Sequence, residues 1–148
     1  MTYKEFLESK IELATDSGFV VEPEKVNKIL KPHQRDAVIW ALKGGRRALF
    51  ESFGLGKTVQ EIEFCHLAAE QCGGRALIVL PLGVKQEFNR DAVDVLGYEK
   101  PEYCRTMEEV EKSTSQIVLT NYERVRDGDI QPEFFTATSL ETSGQNTL

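Results

Sequence analysis

The run Gly54-Leu55-Gly56-Lys57-Thr58 brings together residue types that can grip a phosphate. Gly54 and Gly56 let the backbone turn tightly with no Cβ in the way, and the N–H groups of such a turn, with those of a helix opening at Lys57, face an anion. The Lys57 ammonium reaches toward β and γ phosphates, and the Thr58 hydroxyl is a hard oxygen ligand suited to Mg²⁺. Val59 carries the chain on into the helix. The spacing G-x-x-x-x-G-K-[ST] asks for a first glycine at position 51, where this sequence has Glu51. Gly54, Leu55, Gly56, Lys57, Thr58 and Val59 are thus the candidate nucleotide-binding residues, with Thr58 also a candidate metal ligand and Lys57 a candidate catalytic group.

Such a loop works only when a strand delivers it and a helix carries the chain away. The apolar run at residues 47–50, "RALF", reads as that strand, after a turn containing Arg46 and Arg47. Val59, Ile62, Cys65 or His66, and Ala69 then recur at helical spacing, and Gly73-Gly74 ends the helix. Upstream, "PHQRDAVIWALK" opens on Pro32 and carries the apolar stripe Ala37, Val38, Trp40, Ala41 and Leu42, which assigns Trp40 to the core; Gly44-Gly45 stops it. Downstream, residues 76–81, 116–120 and 134–140 read as strands. Between them, Val84, Phe88, Ala92 and Val95 predict one helix, and the Thr106–Glu109 capping box predicts another. The alternation predicts an α/β fold with a mostly parallel sheet.

The flanks differ in character. Thr2 and Glu5 form a capping box ahead of Tyr3, Phe6, Leu7 and Ile11, so a short helix opens the chain, and residues 13–28 read as a polar connector. Residues 141–148 are polar and patternless, a frayed tail. The expected organisation is an N-terminal helix and connector over 1–29, the main lobe over 30–140 and the tail over 141–148.

Composition narrows the function classes. At 148 residues and 41% hydrophobic, the chain suits one domain with a buried core. Its 18 basic and 24 acidic residues give a net charge of -6, which excludes the basic body of a stand-alone nucleic-acid binder and confines any such contact to a local site. Cys65, Cys72 and Cys104 are irregularly spaced and make no ligand set with His33 and His66, so reduced, buried thiols of a cytoplasmic protein are expected. The N-terminal stretch mixes charged with apolar residues and reads as neither signal peptide nor membrane span.

With these segments in place, the sequence resembles a known family. "ESFGLGKT" is similar to "DEMGLGKT", the loop of Swi/Snf-type ATPases of helicase superfamily 2, in which an acidic residue stands where Glu51 does. "LKPHQRDAVIWAL" resembles "LRPYQ...GVxWL", "ALIVLPLGVKQEF" resembles motif Ia, "LIVxPxSxxxQWxxE", and "IVLTNYERV" resembles the "TTYE" segment. The likeness covers residues 30–140, in the family's order. It implies the N-terminal RecA-like lobe of a DEAD/DEAH-box helicase of phage or bacterial type, a three-layer α/β P-loop fold that binds ATP or ADP with Mg²⁺. It also implies that Gln34 reads adenine, and that the motif Ia and "TNYE" segments lie near a DNA or RNA strand. Pro81, Lys85, Thr120 and Asn121 fall just after strand ends, where open α/β sheets place ligands; contact with nucleic-acid phosphates and ordinary loop roles are both open to them.

The resemblance fails after the last strand. The family has an Asp-Glu pair there, for metal and for the attacking water, whereas this sequence has Glu141-Thr142. Glu141 is the remaining candidate catalytic carboxylate, and Thr142 cannot take a proton from water at neutral pH. The family's second lobe, with its arginine fingers, has no counterpart in the sequence. The reading is therefore a truncated helicase-type ATP-binding domain that binds ATP or ADP with Mg²⁺, and nucleic acid, with little hydrolysis or unwinding alone. Its partners would be DNA or RNA, and a protein partner or the missing second lobe. Two other readings stand beside it: a phage-borne interaction protein acting as decoy or inhibitor of a host nucleic-acid machine, and a decayed gene fragment.

Overall fold

Apolar, β-branched runs separated by helices produce one sheet of strands Ala76–Val79 (β1), Glu102–Tyr103 (β2), Ile117–Thr120 (β3) and Ala137–Leu140 (β4), all parallel, in the order β2-β3-β1-β4. The protein was analysed as a computed structural model that describes residues 18–44 and 57–140. Register runs from Ala76 opposite Ile117 to Val79 opposite Thr120, with Val79 also opposite Leu140 and Tyr103 opposite Leu119. Because every strand points the same way, Val79, Tyr103, Thr120 and Leu140 end along one edge of the sheet.

The period of two along the strands sorts the core into two clusters. Ala76, Ile78, Ile117 and Leu119 gather with Val38 and Leu42 of helix Pro32–Gly44 (α1), Ile62, Cys65 and Ala69 of helix Lys57–Cys72 (α2), and Phe88 of helix Lys85–Arg90 (α3). On the other face, Leu77, Val79 and Val118 gather with Cys104, Ile130 and Val110, the last from helix Met107–Lys112 (α4); Val125 of helix Tyr122–Arg126 (α5) packs alongside. Helices on both faces make the three-layer α/β arrangement that the sequence predicts. Fully burying each large aliphatic or aromatic side chain contributes about 1.5–3 kcal/mol, and packing of this kind holds α3, α4 and α5, which are too short to be stable by themselves.

Local chemistry sets the ends. Gly73, at φ 65°, lets α2 turn in the left-handed region, and the Gly74 N–H closes the helix on the Ala69 carbonyl at 3.0 Å. A Cβ on Gly74 would be driven into the Thr136 methyl, so the approach of β4 to this turn requires glycine. At α4 the Thr106 hydroxyl accepts from the Glu109 N–H at 3.2 Å, and the Glu109 carboxylate accepts from the Arg105 N–H at 2.8 Å. That hydrogen bond holds the Glu109 carboxyl below the usual carboxylate range.

Several expectations need correction. Trp40 is not in the core: it is 45% exposed, because it lies about 200° around the helix from buried Val38. Val95 is exposed and Leu96 buried, because Asp91–Val95 widens into a π turn, closed by the Leu96 N–H on the Asp91 carbonyl at 3.0 Å, which shifts the buried position by one residue. The strand expected over 134–140 starts only at Ala137, after a 3₁₀ turn at Pro132–Phe134. Residues 18–28 are not merely a polar connector, since Val21 and Val26 are buried in the core. Cys72 is exposed, while Cys65 and Cys104 are buried. The expected N-terminal helix with Thr2 and Glu5, the strand at 47–50 with Arg46 and Arg47, and the tail at 141–148 lie outside the described residues. Among the described residues no helix is long and apolar enough to cross a membrane.

Candidate functional site

The placement of the phosphate-loop residues follows from a short connection. Only Gly73, Gly74 and Arg75 separate the last residue of α2 from the first of β1, so α2 runs back along the sheet against β1 and β4. Its first residues therefore point toward the edge where the parallel strands end, the side on which open α/β sheets bind ligands. Lys57, Thr58 and Val59 form this first turn and are partly buried, with Val59 packed on the core cluster. Glu51, Gly54, Leu55, Gly56 and Glu141 lie outside the described residues.

The donor set in this turn suits a nucleotide with its cation: an ammonium, a hydroxyl, and the backbone N–H groups of a helix start. Among the described residues no group of three or more His, Cys, Asp or Glu could hold a metal. A nucleotide-bound Mg²⁺ does not need one, because it takes phosphates and water with one or two protein oxygens.

Gln34 is the third residue of α1, which packs against α2. Its side chain is nearly buried and its Oε1 accepts the Lys31 N–H at 2.9 Å, so the side chain caps its own helix.

The four candidates after the strand ends are brought to one edge. Pro81 and Lys85 follow β1, Thr120 ends β3, the neighbouring strand, and Asn121 follows it. Thr120 is 0% exposed, and its Oγ1 has no hydrogen-bond partner, while its carbonyl accepts the Leu80 N–H at 2.9 Å. Asn121 is held at both ends of its amide: Oδ1 accepts from the Tyr103 hydroxyl at 2.5 Å, and Nδ2 donates to Glu123 at 2.7 Å. The Lys85 Nζ sits 5.0 Å from the centre of the Tyr103 ring. Tyr103 was not among the residues singled out from the sequence. It lies on a two-residue strand with no periodicity to reveal it.

Behind α2 lies a polar cluster that also escaped the sequence. Glu63, fully buried, accepts from the Asn27 N–H at 2.8 Å and from the Tyr98 hydroxyl at 2.5 Å. The Tyr98 ring stacks on His66 at 3.9 Å, and His66 Nδ1 is 2.9 Å from Gln116 Oε1. Burial, reinforced by the hydrogen bond to Glu63, pushes the Tyr98 phenol above its ordinary range. Burial also raises the Cys65 thiol, and it pushes Cys104 up to about 11, so both stay protonated and poorly nucleophilic near neutral pH.

Neither a protein-family model nor a curated protein matches the sequence. Among solved structures, the chain is similar to the UvsW helicase from Bacteriophage T4, with a TM-score of 0.62 and 20% sequence identity; the likeness covers 95% of this chain and 50% of that one. This chain thus spans half the length of the helicase structure it matches. At that identity the likeness concerns the fold: an α/β lobe with a parallel sheet of the kind found in a helicase.

Proposed function

We propose that this chain is a helicase-type ATP-binding lobe, of the superfamily 2 branch its motifs resemble, centred on residues 30–140. One observation carries the reading: in a helicase-like fold, Lys57 and Thr58 occupy the first turn of α2 at the edge where the parallel strands end. Lys57 binds the β and γ phosphates, Thr58 supplies an oxygen to Mg²⁺, and the backbone N–H groups of Gly54, Leu55 and Gly56 serve the phosphates, with Val59 seating the first turn of α2 on the core. Mg²⁺, when bound with the nucleotide, neutralises phosphate charge. Gln34 reads the adenine edge through its amide while its oxygen caps α1.

Hydrolysis by this chain alone is weak in the proposed reading. Glu141 is the remaining candidate carboxylate: aligned with the family's aspartate it leaves Thr142 in the place of the base, and aligned with the base it leaves Leu140 in the place of the metal ligand; transition-state charge would call for an arginine supplied by a second lobe or a partner protein. Pro81, Lys85 and Asn121 contact the backbone of a DNA or RNA strand along the ends of β1 and β3, while Thr120, wholly buried, supports the end of β3 from within. A cytoplasmic setting agrees with cysteines that form no disulfide.

Thermal unfolding with and without ATP and Mg²⁺ tests the reading. Ligand at about 100 times its Kd stabilises the folded state by about 2.7 kcal/mol. The midpoint should rise for the wild type and stay unchanged for Lys57→Ala. An equal rise in both proteins would remove the phosphate loop from the site.

A further inference from the structure

Three side chains from separate elements converge where the strands end: Lys85 from α3, Tyr103 from the edge strand β2, and Asn121 just after β3. Tyr103 is the shared member. Its ring lies under the Lys85 Nζ at 5.0 Å, and its hydroxyl donates to Asn121 Oδ1 at 2.5 Å. Its own place is fixed by pairing with Leu119 in the sheet and by packing on the core cluster.

We propose that Tyr103 is a positioning residue of the nucleic-acid site, holding Lys85 and Asn121 in the arrangement that meets the backbone of a single strand. This rests on the nucleic-acid part of the reading above. A lysine on a four-carbon stem is a mobile point charge, and seating its ammonium on an aromatic face narrows its positions while its N–H groups still point outward to an anion. The amide gains the same benefit: with Oδ1 occupied by Tyr103 and one N–H by Glu123, Asn121 has its orientation set and its remaining N–H available. One phenol thereby fixes a charge and a neutral donor that arise on different elements.

The test is fluorescence anisotropy of labelled oligo-dT and oligo-U across a salt series, with wild type, Lys85→Ala, Tyr103→Phe and Tyr103→Leu. Each phosphate neutralised on a single strand contributes about 0.7 to the slope of log affinity against log salt. Lys85→Ala should flatten the slope by about that amount. Tyr103→Leu should flatten it similarly and weaken binding about two- to fivefold, whereas Tyr103→Phe keeps the ring and should keep the slope. The two oligonucleotides show whether the strand is DNA or RNA. If Tyr103→Leu loses its fold by circular dichroism, Tyr103→Phe and Asn121→Ala decide: they should weaken binding equally and non-additively, and a Tyr103→Phe protein identical to wild type beside a weakened Asn121→Ala would overturn the proposal. A wild type that binds with a Lys85-dependent slope, unchanged in Tyr103→Leu, overturns the Tyr103 role alone. A wild type that binds neither strand overturns the nucleic-acid reading together with it.

Discussion

The Tyr98 hydroxyl donates to the Glu63 carboxylate at 2.5 Å, joining the loop after α3 to the middle of the helix that begins at Lys57. Asn27 closes the cluster from the N-terminal side, through its N–H to Glu63 and its side-chain amide to the Leu96 carbonyl at 2.9 Å. Any drift of α2 relative to the loop after α3 and the N-terminal segment would therefore break hydrogen bonds to a buried group. The helix that opens with Lys57 and Thr58 is held from behind as well as by the core.

Removing the donor should show this. Tyr98→Phe leaves a buried acceptor short of a partner and should cost about 1–3 kcal/mol near neutral pH. The pH dependence has a definite sign. The folded-state phenol is raised above its unfolded value, so its stabilising share is complete below about pH 10 and is lost as pH rises beyond that toward the folded value. Urea midpoints should fall more steeply above about pH 10 for the wild type than for Tyr98→Phe; parallel curves would show that the phenol does not report the fold.

In the proposed reading Gln34 carries two separable tasks. Gln34→Glu keeps an acceptor for the Lys31 N–H but loses the amide donor, so the helix cap should be kept. The preference for ATP over GTP should narrow in the same protein. Gln34→Ala should lose the cap as well, at about 1 kcal/mol. Competition binding together with denaturant unfolding separates the two, and an unchanged ATP preference in Gln34→Glu would take Gln34 out of the base site.

Thr120 offers a test with opposite signs. Its hydroxyl is buried without a hydrogen-bond partner, so Thr120→Val, nearly isosteric, should stabilise the protein by about 1 kcal/mol. Because the residue is wholly buried, strand affinity should not change. A loss of both stability and strand binding would mean that the hydroxyl has a partner in solution.

Much of this was legible because the signals were local. The apolar β-branched runs gave β1 and β3, the Thr106–Glu109 pair gave the start of α4, and Gly73-Gly74 gave the end of α2. What escaped was set by partners far along the chain. Asn27 and Tyr98 are 71 residues apart, and neither type in its local setting announces the other. β2 is two residues long and exists only because β3 offers an edge, so nothing in "PEYC" marks a strand. Trp40 and Val95 were placed by counting apolar residues, but α1 buries a narrower face and the π turn moves the next buried position to Leu96. At the candidate site, the helix start at Lys57 and Thr58 follows a glycine pair visible in the sequence, whereas the link from Lys85 through Tyr103 to Asn121 needs three elements in space.

Turnover should be low. A turn that positions phosphates stabilises ground and transition states to similar extents, and Thr142 offers no base. Phosphate release by the purified 148-residue chain should stay near the no-enzyme background, with or without DNA or RNA. Glu141→Asp with Thr142→Glu should not rescue it in the 148-residue chain, because the proposed reading draws its arginine partners from another lobe or protein. Nucleic-acid-stimulated release that disappears in Lys57→Ala would contradict this.

Nucleotide binding is the claim on which the rest depends, and equilibrium titration with a fluorescent ATP analogue in the presence of Mg²⁺ measures it directly. The wild type should bind saturably, ATP and ADP should compete, and Lys57→Ala should abolish the signal, because alanine supplies no charged donor to phosphate. Absence of wild-type binding at millimolar nucleotide, or undiminished binding by a folded Lys57→Ala protein, would contradict the account.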